Sequence, residues 1–227
     1  MSNHDHAHDH EQTTGADLRQ MFTQEFWDER YASSDRIWSG RPNARLVEEL
    51  AELAPGTAAD IGCGEGADVV WLATRGWTVT GVDVSGVALD RAAGHAAEAG
   101  VAERTSWARA DVFALDPLPV PAGGFDLVTA SFMHVPPEQF DAVYRHVAAA
   151  VAPGGTLVVL AHHPDDTHTG LRNADLASLL FTPEAVLAVL EPDEWTVVTS
   201  RVVGRTQVHE GVEHEVSDTV VRAVRRT

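Results

Sequence analysis

AADIGCGEGADVVWLATRGWTVTGVD, residues Ala58 to Asp83, is the most strongly patterned stretch of the chain. Its apolar start, Thr57 to Ile61, predicts a strand; Gly62, Gly64 and Gly66 predict a tight loop. Ala67 to about Arg75 predicts a helix, and Thr78 to Val82 a second strand that closes on Asp83. Together these make a βαβ unit. Glycines at alternate positions let the backbone turn sharply and come close to a ligand, because no Cβ stands in the way. Asp60 sets a carboxylate two positions before the first glycine, where a pyrophosphate would be repelled and an ammonium or sulfonium held. The pattern implies a cationic ligand.

Composition narrows the class. The 227 residues suffice for one good core and are too few for two ordinary domains with linkers. No run of about 18 uncharged apolar residues exists, and the N-terminus lacks a secretory pattern, so a cytoplasmic protein without a membrane partner is expected. The single cysteine, Cys63, leaves no internal disulfide, and its place in the glycine loop suits a small packing residue better than a reactive one. A formal charge of −18 disfavours nucleic acid, whose binding needs a basic face to displace counterions. All 16 basic residues are arginine, which excludes a P-loop lysine, a Schiff-base lysine and the Tyr-x-x-x-Lys pair of short-chain dehydrogenases.

Residues 1–15 carry no apolar periodicity and are expected to form a disordered, His-rich tail before a single domain over 16–227. His4, His6, His8 and His10 offer imidazoles to Zn²⁺ or Ni²⁺, but a flexible tail provides no fixed geometry, so no metal site is assigned. Asp17 to Ala32 reads as an amphipathic helix with Asp17 as its cap, and Asn43 caps a second helix to about Leu53. With the loop Ile37-Trp38-Ser39-Gly40-Arg41-Pro42 these make residues 16–55 an N-terminal helical cap.

Beyond the glycine loop, Asp83 lies 21 positions past Gly62, where an acid can accept both hydroxyls of a ribose, with Val84 against the adenine face. Ser85 caps a helix to about Ala99. A third strand, Thr105 to Ala110, ends on Asp111-Val112, and a fourth, Phe125 to Ala130, on Ser131-Phe132-Met133-His134. Acids at successive strand ends stand where ligands bind in open α/β sheets. A helix over Pro137 to Val151 turns through Pro153-Gly154-Gly155 into strand five, Thr156 to Ala161. The polar run His162-His163-Pro164-Asp165-Asp166 follows and reads as a substrate-access loop. Thr182-Pro183 starts a short helix to about Leu190. Trp195 to Val203 and Glu213 to Arg225 alternate about the polar stretch Gly204 to Gly211, as in an antiparallel hairpin.

Asp60-Ile61-Gly62-Cys63-Gly64-Glu65-Gly66 resembles the first motif of the class I S-adenosylmethionine (SAM)-dependent methyltransferases. FWDERY with the Trp38 loop is similar to their tellurite-resistance and thiopurine S-methyltransferase branch. The resemblance implies a Rossmann-like, doubly wound, mostly parallel seven-stranded sheet closed by a C-terminal antiparallel hairpin. It implies SAM as cofactor, with S-adenosylhomocysteine as product, held by Asp60, Gly62, Cys63, Gly64, Asp83, Val84 and Ser131. Asp111 would accept from the adenine amino group, with the Val112 N–H on the ring. Trp38 and Arg41 would lie over the site, Arg41 on the methionine carboxylate, although a purely structural loop explains them equally well. Asp126 and the run Ser131 to His134 fall in the family's register, and the block after strand four is its substrate side. His134 is the best-placed general base, against the blander alternative of a locally hydrogen-bonded histidine.

The branch points to a small-molecule acceptor, a thiol or another soft nucleophile, and to a monomer or homodimer. Two other classes stay open: an NAD-dependent oxidoreductase, since Gly62, Gly64, Ala67 and Asp83 fit the dinucleotide fingerprint, and a non-catalytic SAM-binding protein.

Overall fold

The strand that carries Asp60, β1 (Thr57–Ile61), is buried over its last four residues, as a strand covered by helices on both faces must be. In this computed structural model residues 18, 20–169, 174–209 and 211–227 are described; the His-rich tail and Asp17 lie outside them. Six further strands complete one sheet: β2 (Thr78–Asp83), β3 (Thr105–Arg109), β4 (Phe125–Ser131), β5 (Val151–His162), β6 (Trp195–His209) and β7 (Val212–Arg225). Their order is β3-β2-β1-β4-β5-β7-β6. The first five run parallel, while β7 slots antiparallel between β5 and β6. The mostly parallel, doubly wound sheet with a closing hairpin is the architecture expected from the sequence.

Each face of the sheet has its own core. Alternate residues of β1 and β4 point opposite ways, so Ala58 and Leu127 join a cluster with Leu46, Leu50, Val69 and Leu72. Ala59, Ile61 and Val128 join the other, with Val143, Tyr144, Val147 and Val186. The first cluster is covered by α2 (Ala44–Leu50), α3 (Ala67–Thr74) and α4 (Gly86–Glu98), the second by α5 (Phe140–Ala149) and α6 (Pro183–Leu187). Three caps stand where the sequence puts them: Asn43 accepts from the Arg45 and Leu46 amides, Ser85 from Ala88, and Thr182 from Ala185 ahead of Pro183.

Three local expectations are corrected. The helix expected over Asp17 to Ala32 is not continuous: Leu18 and Gln20 are helical, the chain turns at Met21 to Thr23, and α1 (Gln24–Ala32) starts anew where Thr23 accepts from the Phe26 amide and supplies the cap. Pro153-Gly154-Gly155 is a bulge within β5 rather than a turn before it. Phe125 pairs with Val151 and Leu127 with Thr156, and a Cβ on Gly155 would lie 2.7 Å from the Phe125 carbonyl oxygen. The polar run from Gly204 to His209 is strand rather than loop, since its backbone keeps pairing with β7 as far as His209↔Val212. Pairing satisfies those amides, and on this edge strand Thr206 is exposed while Arg205 turns in to Asp218. Among the described residues no helix is long and apolar enough to cross a membrane.

Candidate functional site

After β1 the chain moves outward to β2 and β3, and then returns to the other side of β1 for β4 and β5. The strand order reverses between β1 and β4, and a crevice opens beyond their carboxyl ends. A cavity of about 1220 Å³ fills it. Single-ligand pockets run to about 300–1,000 Å³, so this one has room for a nucleotide-sized molecule and a second molecule beside it. Apart from Asp126, the site residues named above line it: Trp38 and Arg41, then Asp60, Gly62, Cys63 and Gly64, then Asp83, Val84, Asp111 and Val112, and across the opening Ser131 and His134.

Three carboxyls form the floor. Asp60 is 3 % exposed and accepts from the Thr129 hydroxyl at 2.6 Å, its register partner on β4. Asp68, in the first turn of α3, accepts from the Asn43 amide at 2.7 Å. Asp83 accepts from the Gly64 amide at 2.8 Å and from the Ser85 amide at 2.9 Å, so its carboxylate is aimed before any ligand arrives. Burial pushes the pKa of all three up, and the Asp68 charge pushes Asp60 further; the backbone donors at Asp83 pull the other way without prevailing. A cluster of acids held above their usual range is short of positive charge, and a cationic ligand would restore the balance. Cys63 is also buried, and burial first, then Asp83 and Asp60, pushes its thiol up, as suits a packing residue.

Around this floor the backbone is close. Gly64 has φ +52°, and a Cβ there would stand 2.8 Å from the Tyr31 hydroxyl. Next to it, Glu65 is 4 % exposed, with its oxygens accepting from the Ile37 amide at 3.2 Å, the Trp38 amide at 3.1 Å and Arg91 at 3.0 Å. Trp38 donates through Nε1 to the Tyr31 hydroxyl at 3.0 Å. Asp28 of α1 accepts from the Ser85 hydroxyl at 2.6 Å; burial tends to raise it, but the Ser85, Gln24 and Val87 donors together hold it low. The glycine loop and the start of α4 therefore tie down the segment from α1 to Asn43. Glu65 and Asp28 were not anticipated as site residues; the acid between two loop glycines was the available signal.

Beyond β3, Asp111 Oδ1 accepts from the Phe113 and Ala114 amides, so it is a turn cap and a cavity residue at once. Beyond β4 the chain bends at Phe132, whose φ of +55° is rare for a bulky side chain and sits at the cavity wall. The Phe132 amide donates to Leu160 at 2.7 Å, and its ring lies 4.4 Å from that of His162. The His134 and His162 rings are 6.0 Å apart. Asp218 and Arg205 complete that end of the cavity, and neither was anticipated. Asp126, in contrast, accepts from Thr57 Oγ1 and its amide, both at 2.8 Å, at the amino end of β1 and β4 and therefore away from the cavity. Among the described residues no group of three or more His, Cys, Asp or Glu could hold a metal ion.

Residues 58–155 match the model of a methyltransferase domain. The 27-O-demethylrifamycin SV methyltransferase of Amycolatopsis mediterranei is 31 % identical over 176 residues, 75 % of this chain and 61 % of that protein. The chain spans roughly half to three-fifths of the length of the curated relatives it matches. Among solved structures, one described as "Conversion of a Disulfide Bond into a Thioacetal Group during Echinomycin Biosynthesis" superposes with a TM-score of 0.68 at 20 % identity, over 89 % of this chain and 92 % of that one. TehB from Haemophilus influenzae gives 0.65 at 16 % identity, over 90 % and 67 %. These two likenesses concern the fold. Acid-tipped strands at the switch point and the glycine loop beneath them fall within residues 58–155, the stretch that is similar to a methyltransferase domain.

Proposed function

We propose that the protein transfers the methyl group of SAM to a small-molecule acceptor by in-line displacement. The observation that carries this is the acid cluster of buried Asp60 and Asp83 with half-buried Asp68 at the point where the strand order reverses, in which every member is held above its ordinary pKa. The residues present fit the donor. Asp60 holds its ammonium or sulfonium end, Gly62, Cys63 and Gly64 leave its backbone-side approach open, Asp83 takes the ribose hydroxyls, and Val84, Asp111 and Val112 take the adenine. Trp38 and Arg41 cover it, Arg41 pairing with the carboxylate, and Ser131 and His134 face the acceptor. When bound, the donor supplies a methyl group already activated by its sulfonium charge. The chain's own task is to hold a nucleophile in line with that methyl and to exclude water, which can be worth on the order of 7–11 kcal/mol.

The acceptor has two candidate chemistries. The Amycolatopsis relative is named for an oxygen on a demethylrifamycin. The branch resemblance of the N-terminal segment points to a thiol or other soft nucleophile. Calorimetry with SAM, S-adenosylhomocysteine and NAD tests the reading: binding of the first two and not of NAD is expected, and Asp83→Ala should weaken both by tenfold or more, since a charge-assisted hydrogen bond contributes about 1.5–3 kcal/mol. Binding of NAD instead would refute it. A radiolabelled methyl screen over thiol, hydroxyl and amine acceptors then separates an enzyme from a non-catalytic binding protein.

A further inference from the structure

Antiparallel insertion of β7 beside β5 brings His162, the last residue of β5, opposite Asp218. His162 Nδ1 lies 3.7 Å from Asp218 Oδ1 and 4.0 Å from Asp166 Oδ2, and the side chain is 15 % exposed at the cavity wall. Asp218 is 1 % exposed. Its Oδ2 accepts from Arg205 Nε at 2.8 Å, whereas its Oδ1 is buried with no hydrogen bond among the described residues. A buried carboxylate oxygen without a hydrogen bond calls for an explanation, and here it faces an imidazole nitrogen 3.7 Å away. Asp166 is held in turn by the Ser217 amide at 2.5 Å. Among the described residues, groups facing His162 include Asp218 on β7, with Arg205 of β6 behind it, Asp166 on the turn after β5, and Phe132 and His134 after β4. Two carboxylates stand where positive charge on the ring would be stabilised.

We propose that His162, positioned by Asp218, takes the proton of a hydroxyl acceptor carried on an apolar or aromatic scaffold. This rests on the methyl-transfer reading and names the acceptor class of the same site. The acceptor oxygen loses its proton to the imidazole nitrogen remote from Asp218 as its lone pair forms the new bond to carbon. The electron pair of the broken carbon–sulfur bond leaves with the sulfur, and the imidazolium later returns its proton to water. Carboxylates at Nδ1 keep the proton on that nitrogen, so the far nitrogen is the basic one. Phe132, Met133 and Leu176 make the adjoining wall apolar. A thiol does not need this help: with a pKa of about 8.5 in cysteine against about 10 for the tyrosine phenol, it ionises more readily by itself. The basic machinery therefore favours oxygen over sulfur, with His162 as the proton acceptor.

The test uses the full chain and a matched pair of acceptors, 2-naphthol and 2-naphthalenethiol. In H162Q the ratio of naphthol to naphthalenethiol methylation should fall about 100-fold or more, the scale of general-base help, with S-adenosylhomocysteine affinity unchanged by calorimetry. In D218N the NMR titration midpoint of the His162 ring, identified by its loss in H162Q, should move to lower pH, and the rising limb of kcat should move with it. A purely structural Asp218 would leave the kcat limb where it is. An unchanged ratio in H162Q, an unmoved His162 midpoint, or a wild type that methylates only the thiol or neither compound overturns the proposal and leaves the methyl-transfer reading intact. A wild type that does not bind S-adenosylhomocysteine sinks that underlying reading instead. If D218N does not fold, the acceptor ratio in H162Q decides the matter.

Discussion

Replacing Asp60 by asparagine should make the unliganded protein more stable and a poorer binder of SAM. The side chain is 3 % exposed, and its neutral donor, Thr129 Oγ1 at 2.6 Å, can serve an asparagine oxygen equally well. The substitution therefore removes a charge and little else. Asp60, Asp68 and Asp83 all hold their protons to higher pH in the folded chain than the ordinary value of 3.8, chiefly because they are buried. The folded state thus binds more protons than the unfolded one above that pH, and the associated stability is lost as pH rises through the folded values. Wild-type protein should lose melting temperature as pH rises above the ordinary carboxylate range, and D60N should lose less. Relief of a desolvated carboxylate is worth about 1–3 kcal/mol, at about 2–4 °C per kcal/mol for a chain of this size.

Binding should move the other way. Loss of one charge-assisted contact costs about 1.5–3 kcal/mol, or roughly 10- to 150-fold in SAM affinity. Calorimetry with both forms of the ligand adds resolution. A carboxylate that senses the sulfonium penalises SAM more than S-adenosylhomocysteine, which is neutral at sulfur; one that holds only the ammonium penalises both alike. D60N with wild-type affinity for SAM and an unaltered melting profile at pH 8 would refute the role of the acid cluster.

Two other perturbations probe the frame around that cluster. Glu65→Ala removes the acceptor for the Ile37 and Trp38 amides and the partner of Arg91, so exchange of those two amides should quicken by roughly 10- to 150-fold, and SAM affinity should fall with it. Unchanged exchange would mean that the segment before Asn43 is held by something else. Gly66→Ala puts a Cβ 2.8 Å from Ala92 Cβ and 2.9 Å from the Trp107 ring at a φ of +79°. Left-handed strain of about 1–2 kcal/mol and overpacking of about 1–3 kcal/mol should add to a loss of about 2–5 kcal/mol in urea unfolding, and a variant as stable as wild type would refute the close approach of α4.

Much of the donor side is legible in the order of residues alone. A glycine loop between strand and helix, and acids at the ends of β1, β2 and β3, are read from neighbouring residues, because backbone freedom and strand polarity are local properties. Local signals mislead where pairing outweighs composition. Pro153-Gly154-Gly155 carries turn residues yet lies within β5, and Gly204 to His209 is polar yet lies within β6, since ladder hydrogen bonds continue through both. Asp111 is legible as a ligand-side acid and also as a turn cap, and both descriptions hold.

The sequence by itself determined the alternation of strands and helices, and it set the expectations of a cationic ligand at Asp60 and, from the net charge, against nucleic acid. Only the tertiary structure decided that β7 enters between β5 and β6, which sets Asp218 against His162 and Arg205, and that Glu65 and Asp28 reach back to the N-terminal segment. Contacts of this second kind join residues far apart along the chain. Their partners are chosen by the order of strands and the direction of pairing, which side-chain periodicity within a single element does not record.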